Sequence, residues 1–308
     1  MSEFSRFAPI GAASGDALVA AAFFVGAVLA GGNAVAIRFS NRELAPLWGA
    51  GLRFALAALV FVVVMGALRL KIPPARALIG AALYGAFNFG GSFGLAYHAL
   101  VSLHAGLGQT LLALVPLLTL LLAVAIGQER LRLAAVFGTV MALTGVGLAS
   151  QASLRESVAT LAVLAALGSA FCFALAAVLV RRLPPVHPVT MNATGMVCAA
   201  ALLLIASTVA GEHQVIPQRP ATWLAIAYLV PVGSVVVFGL YLFVLRRWAA
   251  SRAAYSFVLI PFVTVALSAW LDNEKIGLGL ALGGLLVVAG VYVGALRRAP
   301  PPADQPAH

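Results

Sequence analysis

Charge is scarce in this chain, and acidic charge scarcest of all. Of 308 residues, 9 are Asp or Glu and 19 are Lys or Arg, so 9% of the chain is charged, against about 25% in a soluble domain. A water-facing surface cannot be built from so few charges, which excludes a water-soluble enzyme. Lysine is confined to Lys71 and Lys275, both in charged breaks between apolar runs, which excludes a retinal Schiff base. Cysteine is confined to Cys172 and Cys198. Each is alone in an apolar run with no C-x-x-C pair or metal-ligand spacing, and reads as a small buried apolar side chain. No G-x-x-x-x-G-K-[ST] segment is present, so no ATP drive lies within the chain.

Apolar residues make up 63% of the sequence, and the mean hydropathy is +1.06. A membrane-spanning helix needs about 20 mostly apolar residues, because the hydrocarbon core is about 30 Å thick and each residue rises about 1.5 Å. Breaks at charge and proline clusters leave ten such runs, near 17–37, 45–68, 77–98, 103–126, 133–150, 158–180, 189–210, 222–244, 253–271 and 277–296. The first follows Asp16 and is closely followed by the second, so it is expected to be a membrane helix and not a cleaved signal peptide. The fold class is therefore all-α, an integral membrane protein of ten transmembrane helices in one membrane domain.

The net charge of +10 would suggest nucleic acid in a soluble protein; here it sorts by side. The termini and even-numbered connections hold thirteen basic residues: Arg6, Arg69, Lys71, Arg76, Arg130, Arg132, Arg181, Arg182, Arg246, Arg247, Arg252, Arg297 and Arg298. The odd-numbered connections hold five: Arg38, Arg42, Arg155, Arg219 and Lys275. Short loops rich in Lys and Arg stay in the cytoplasm, so both termini are expected there. No nucleic-acid partner is expected; the partners are the lipid bilayer and a small-molecule substrate.

A shift of 145 residues lays the second half on the first. Pro116 falls on Pro261, Thr119 on Thr264, Glu129 on Glu274, Gly138 on Gly283, Gly145 on Gly290 and Gly94 on Gly239. Chance apolar similarity does not easily place proline, glutamate and three glycines in one register. Five spans per half is an odd number, so the halves must face opposite ways. This predicts two inverted five-helix repeats, 1–150 and 151–298, followed by a Pro-rich cytoplasmic tail, 299–308. Secondary transporters commonly use such repeats, with substrate bound near the midplane between them.

Gly32-Asn-Ala-Val-Ala-Ile-Arg38, Pro46, Leu52-Arg-Phe54 and the segment Pro116-Leu-Leu-Thr…Gly127-Gln-Glu-Arg-Leu131 with its partner Pro261-Phe-Val-Thr…Asp272-Asn-Glu-Lys-Ile276 resemble the drug/metabolite transporter superfamily. Within it the chain is similar to the ten-helix EamA-type exporters, and among these to the bacterial amino-acid exporters of the YddG type. Gly31-Gly32 stands where that family usually has Trp-Gly. The resemblance implies a bacterial inner-membrane protein whose spans 1, 3, 4, 6, 8 and 9 line a central cavity. It implies export of small metabolites, amino acids including aromatic and apolar ones, by facilitated alternating access. An exporter of drugs or other metabolites with proton coupling, or a channel, are the alternatives.

Polar residues inside spans are costly unless they face protein or a wet cavity. Asn33 follows two glycines; substrate contact and interhelical hydrogen bonding are both open. Tyr84, Asn88 and Ser92 form one polar stripe at helical spacing on the third span, expected to face inward. Gln109 and Thr110 precede Pro116, and Tyr255 precedes Pro261 in the matching place. These residues and Tyr241 are the candidate substrate contacts. Pro116 and Pro261 free a backbone carbonyl one turn earlier and are candidate hinges. Arg53 lies inside the second span and His98 near the end of the third; each is a candidate gate or a structural charge. No acidic residue lies deep in a span, which favours a neutral or zwitterionic substrate over a cation. Gly90-Gly-Ser-Phe-Gly94 matches the G-x-S-x-G pattern of hydrolases, but that motif needs a strand–turn–helix context, so no catalytic residue, cofactor or metal is expected.

Overall fold

The computed structural model describes residues 12–128, scattered helical positions between 133 and 148, and residues 160–248, 250–253, 256–272 and 277–293. Among these the chain is helical, with no strand. Seven helices are long and apolar enough to cross a membrane: α1 (Ala17–Asn41), α2 (Pro46–Ala67), α3 (Ala75–Ser102), α4 (Ala105–Ala125), α5 (Thr160–Leu179), α6 (Pro188–Val209) and α7 (Pro220–Leu245). Two shorter helices follow, α8 (Ser256–Leu271) and α9 (Leu278–Val291). The fifth expected span lies largely outside the described residues.

Proline opens three of these helices at their first turn, in α2, α6 and α7, where the missing N–H has no intrahelical partner to lose. Large apolar side chains such as Phe24, Leu59, Val63, Leu164, Leu224 and Trp270 are more than half exposed. Water would penalise that display and hydrocarbon does not. Small residues occupy the helix contacts, as expected where packing rather than water release drives association. A Cβ on Gly85 of α3 would lie 2.1 Å from the Gly195 backbone of α6. Cβ atoms on Gly145 and Gly290 would each lie 2.6 Å from backbone oxygens, those of Gly283 and Gly138 respectively. That crossing is reciprocal: the 145-residue shift turns the contact of Gly145 with Gly283 into that of Gly290 with Gly138.

The 145-residue register governs the backbone as well as the sequence. Helix α3 starts at Ala75 and α7 at Pro220; α3 carries a π-helical turn over Ala86–Gly91 and α7 over Pro231–Val236; regular helix resumes at Ser92 and at Val237. Each pair differs by 145. A π-helical turn shifts hydrogen bonds to i→i+5 and commonly marks a functional place in a helix.

The connections collect at two ends. At one end Glu43, after α1, accepts the Arg219 N–H at 3.2 Å before α7, and Glu212, after α6, accepts the Leu47 and Trp48 N–H groups at 3.1 and 2.8 Å at the start of α2. Carboxylates there satisfy donors that helix starts leave open. At the other end Arg181 donates to the Trp248 carbonyl at 2.9 Å and Arg182 to the Ile126 carbonyl at 2.5 Å. Helices α3 and α7, matched by the repeat, therefore run in opposite directions.

Candidate functional site

Six helices, α1, α3, α4, α5, α7 and α8, together with Ala253 just before α8, surround a cavity of about 920 Å³, open solvent at its mouth included. They correspond to expected spans 1, 3, 4, 6, 8 and 9. Its wall is almost wholly apolar and carries no charged side chain among the described residues; Asn33, Gln109, Ser169, Tyr241 and Ser256 are its polar groups. Aromatic rings form one side. Phe93 packs edge-on against Phe173 at 5.4 Å and Phe238 at 5.6 Å, and Phe257 meets Phe173 at 5.1 Å and Tyr241 at 6.1 Å. Phe93 and Phe238 are repeat counterparts, so two equivalent positions from opposite halves meet in this side of the wall.

Behind this wall lies Arg53, 1% exposed. Its Nε donates to Ser234 Oγ at 2.8 Å and its Nη2 to the Gly233 carbonyl at 2.8 Å and, weakly, to Asn33 Oδ1 at 3.4 Å. The guanidinium stacks over Phe93, with Cζ 4.7 Å from the ring centroid. Gly233 and Ser234 belong to the π-helical turn of α7, so α2 of the first half is tied to the place where α7 departs from regular helix. A Cβ on Gly233 would lie 2.1 Å from Asn33 Oδ1, which explains glycine there.

The end of the cavity beyond Ile37 carries an ionic cluster. Arg38 Nε lies 3.2 Å from Asp272 Oδ2, and Arg42 also pairs with Asp272. Arg38 Nη1 lies 3.3 Å from the Leu103 carbonyl and 2.9 Å from His104 Nδ1. One cluster thus gathers the ends of α1, α3, α4 and α8, all of which line the cavity.

The sequence profile of the EamA-like transporter family matches the chain twice, over residues 17–151 and 160–295. The chain belongs to the EamA-like transporter family. Among its relatives is the uncharacterized inner membrane transporter YedA of Escherichia coli K12, 28% identical over 277 residues, with 88% of this chain and 89% of YedA covered. A probable amino-acid metabolite efflux pump of the same strain is 27% identical over 287 residues, covering 86% and 91% of the two chains. A crystal structure superposes with a TM-score of 0.70 at 22% identity over 92% of this chain and 99% of the other; that likeness concerns the fold alone. The EamA-like chain is a membrane transporter and not an enzyme.

In this EamA-like transporter the sequence candidates divide. Asn33, Gln109 and Tyr241 line the cavity. Tyr84, Asn88 and Ser92 face protein, as the stripe implies, but all three are fully buried beside the wall and not in it. Ser92 donates to the Asn88 carbonyl one turn earlier, so it is a helix-bound hydroxyl and no nucleophile. The Tyr84 hydroxyl and the Asn88 amide have no partner among the described residues. Thr110 donates to the Gly106 carbonyl at 2.9 Å and does not line the cavity. Pro116 follows a break in α4 at Ala113–Leu114, and Pro261 lies inside α8. His98 is exposed and away from the cavity, while its neighbour His104 meets Arg38. Tyr255 lies outside the described residues. The absent family tryptophan has a structural counterpart: a Cβ on Gly31 would lie 2.4 Å from Val263, and one on Gly32 2.5 Å from the Tyr228 hydroxyl. The four phenylalanines, Ser169 and Ser256 were not among the candidates; pairing of Phe93 with Phe238 under the repeat shift was the available signal.

Proposed function

We propose that this EamA-like transporter is a multi-pass carrier of the inner membrane that exports small metabolites, amino acids with aromatic or apolar side chains foremost. The observation that carries the reading is the uncharged, phenylalanine-lined cavity shared by both halves. Rings offer an aromatic side chain edge-to-face contacts worth about 0.5–1.5 kcal/mol each, and Asn33, Gln109, Ser169 and Ser256 supply hydrogen bonds to polar ends. No carboxylate faces the cavity among the described residues, so no buried acid is at hand to carry a proton or meet a cation, and transport runs down the gradient of the substrate. The arrangement is ten spans in two inverted halves, 1–150 and 151–298, with both termini and the 299–308 tail cytoplasmic. Tyr84, Asn88, Ser92 and Thr110 support the cavity from behind, and Tyr255 is kept as a candidate substrate contact. Pro116 and Pro261 allow α4 and α8 to bend as the halves rock.

Purified protein in proteoliposomes is expected to show saturable counterflow of labelled phenylalanine, unchanged by an imposed pH gradient. Strict dependence on that gradient would contradict the uncoupled mechanism, and absence of counterflow for every amino acid would contradict the substrate class.

In this reading the Arg38–Arg42–Asp272 cluster holds one end of the cavity shut. Asp272→Asn removes the anion that bridges the two arginines, a change worth about 1–3 kcal/mol for a charged, partly buried hydrogen-bonded group. Faster alkylation of a cysteine at Gln109 from that end, with a lower thermal midpoint, is the expected result. Unchanged alkylation would show that the cluster does not control access.

A further inference from the structure

We infer that Arg53 sets the charge selectivity of the cavity, favouring ligands with an anionic or balanced polar end and rejecting net cations. The inference rests on the reading of the cavity as the substrate site, and adds a chemical filter to it.

A guanidinium stays protonated in proteins, and Arg53 is buried with no ion pair among the described residues. Its Nη1 has no hydrogen-bond partner among the described residues, the partners of Nε and Nη2 are a hydroxyl, a carbonyl and an amide oxygen, and its further neighbour Tyr97 is a phenol. None of these cancels the charge. Two of the groups it touches, Phe93 and Asn33, belong to the cavity wall, so the charge stands one side chain behind the wall. Among the described residues no charged side chain in the wall offsets it. A low-dielectric lining preserves the field that water would screen. Within roughly 10 Å and at an effective dielectric near 20, a unit charge discriminates between ligand charges of opposite sign by on the order of tenfold or more.

Under the 145-residue shift the counterpart of Arg53 is Cys198, so the second half carries no charge at the matching place. The first half alone sets a full positive charge beside the cavity.

The test uses three ligands sharing one phenyl ring: zwitterionic phenylalanine, anionic 3-phenylpropionate and cationic phenethylamine. Their ability to raise the thermal midpoint of purified protein and to compete in phenylalanine counterflow is measured for wild type, Arg53→Lys and Arg53→Met. Wild type is expected to prefer 3-phenylpropionate over phenethylamine by about tenfold or more, Arg53→Lys to keep that order, and Arg53→Met to lose it. Equal competition by cation and anion in wild type would overturn the inference, and so would an unchanged ratio in Arg53→Met. If Arg53→Met fails to fold, the wild-type order still decides. If phenylalanine is not carried but the anion stabilises the protein in an Arg53-dependent way, the filter stands and the transport reading fails. If no ligand of the three binds, both fail.

Discussion

Gly85→Val is expected to prevent assembly of the helix bundle. The Cβ of any residue at this position would lie 2.1 Å from both the Cα and the carbonyl oxygen of Gly195. The obstacle is backbone, which cannot rotate away as a side-chain tip can. Overpacking a well-packed interior typically costs about 1–3 kcal/mol when side chains can shift, and here two helices would have to separate along their contact. Phe89 of α3 shares that crossing, lying 3.3 Å from a Cβ built on Gly195, and it also packs against Phe54 and Phe238 at 5.3 and 4.8 Å. Size-exclusion chromatography in mild detergent should show aggregated protein in place of a single peak. Gly66→Val is the control, because a Cβ there meets nothing within 4 Å, and it should behave as wild type.

Ala96→Tyr is expected to abolish transport while leaving the protein folded. Ala96 lines the cavity and is the repeat counterpart of Tyr241, which lines it from the opposite half. A ring at 96 therefore enters the same space from the matching direction and competes with the substrate for it. The cavity measures about 920 Å³ only with its open mouth included, so a second tyrosine beside Tyr241 takes room that the substrate needs. Phenylalanine counterflow should fall by roughly tenfold or more, with the thermal midpoint shifted by only a few degrees, since Ala96 lies on the cavity side of α3. Ala96→Ser, which adds one small polar atom, should retain transport. Full activity in Ala96→Tyr would place the transport route elsewhere.

Seven of the expected spans and the repeat were legible in the sequence because both rest on features that survive without partners. A run of about 20 apolar residues is long enough to cross the bilayer whatever it packs against, and a proline or glycine recurring in one register marks equivalent backbone. The structure extends that register to the π-helical turns at Ala86–Gly91 and Pro231–Val236, which no residue pattern announces. The polar stripe Tyr84–Asn88–Ser92 was readable as facing protein, because hydrocarbon penalises it. Periodicity cannot tell a wall residue from one a helix-width behind it, and these three stand behind. The aromatic side of the cavity was hidden for the opposite reason: Phe93, Phe173, Phe238 and Phe257 look the same in sequence as phenylalanines that face lipid, such as Phe24 and Phe262. The partners of Arg53 at Gly233 and Ser234 lie about 180 residues away in the chain, beyond any local pattern.

The central claim is that the cavity between α1, α3, α4, α5, α7 and α8 is where substrate binds, and protection of a single cysteine tests it most directly. In protein carrying Cys172→Ala and Cys198→Ala, Gln109→Cys places one thiol in the cavity wall, and His98→Cys in a sister protein places one on the outer surface of α3. Alkylation rates of both are measured in counterflow-active proteoliposomes with and without saturating phenylalanine. The account predicts that phenylalanine slows alkylation at 109 several-fold, in proportion to its occupancy of the transport site, and leaves 98 unchanged. Alkylation at 109 that proceeds at the same rate while phenylalanine is being transported would contradict it.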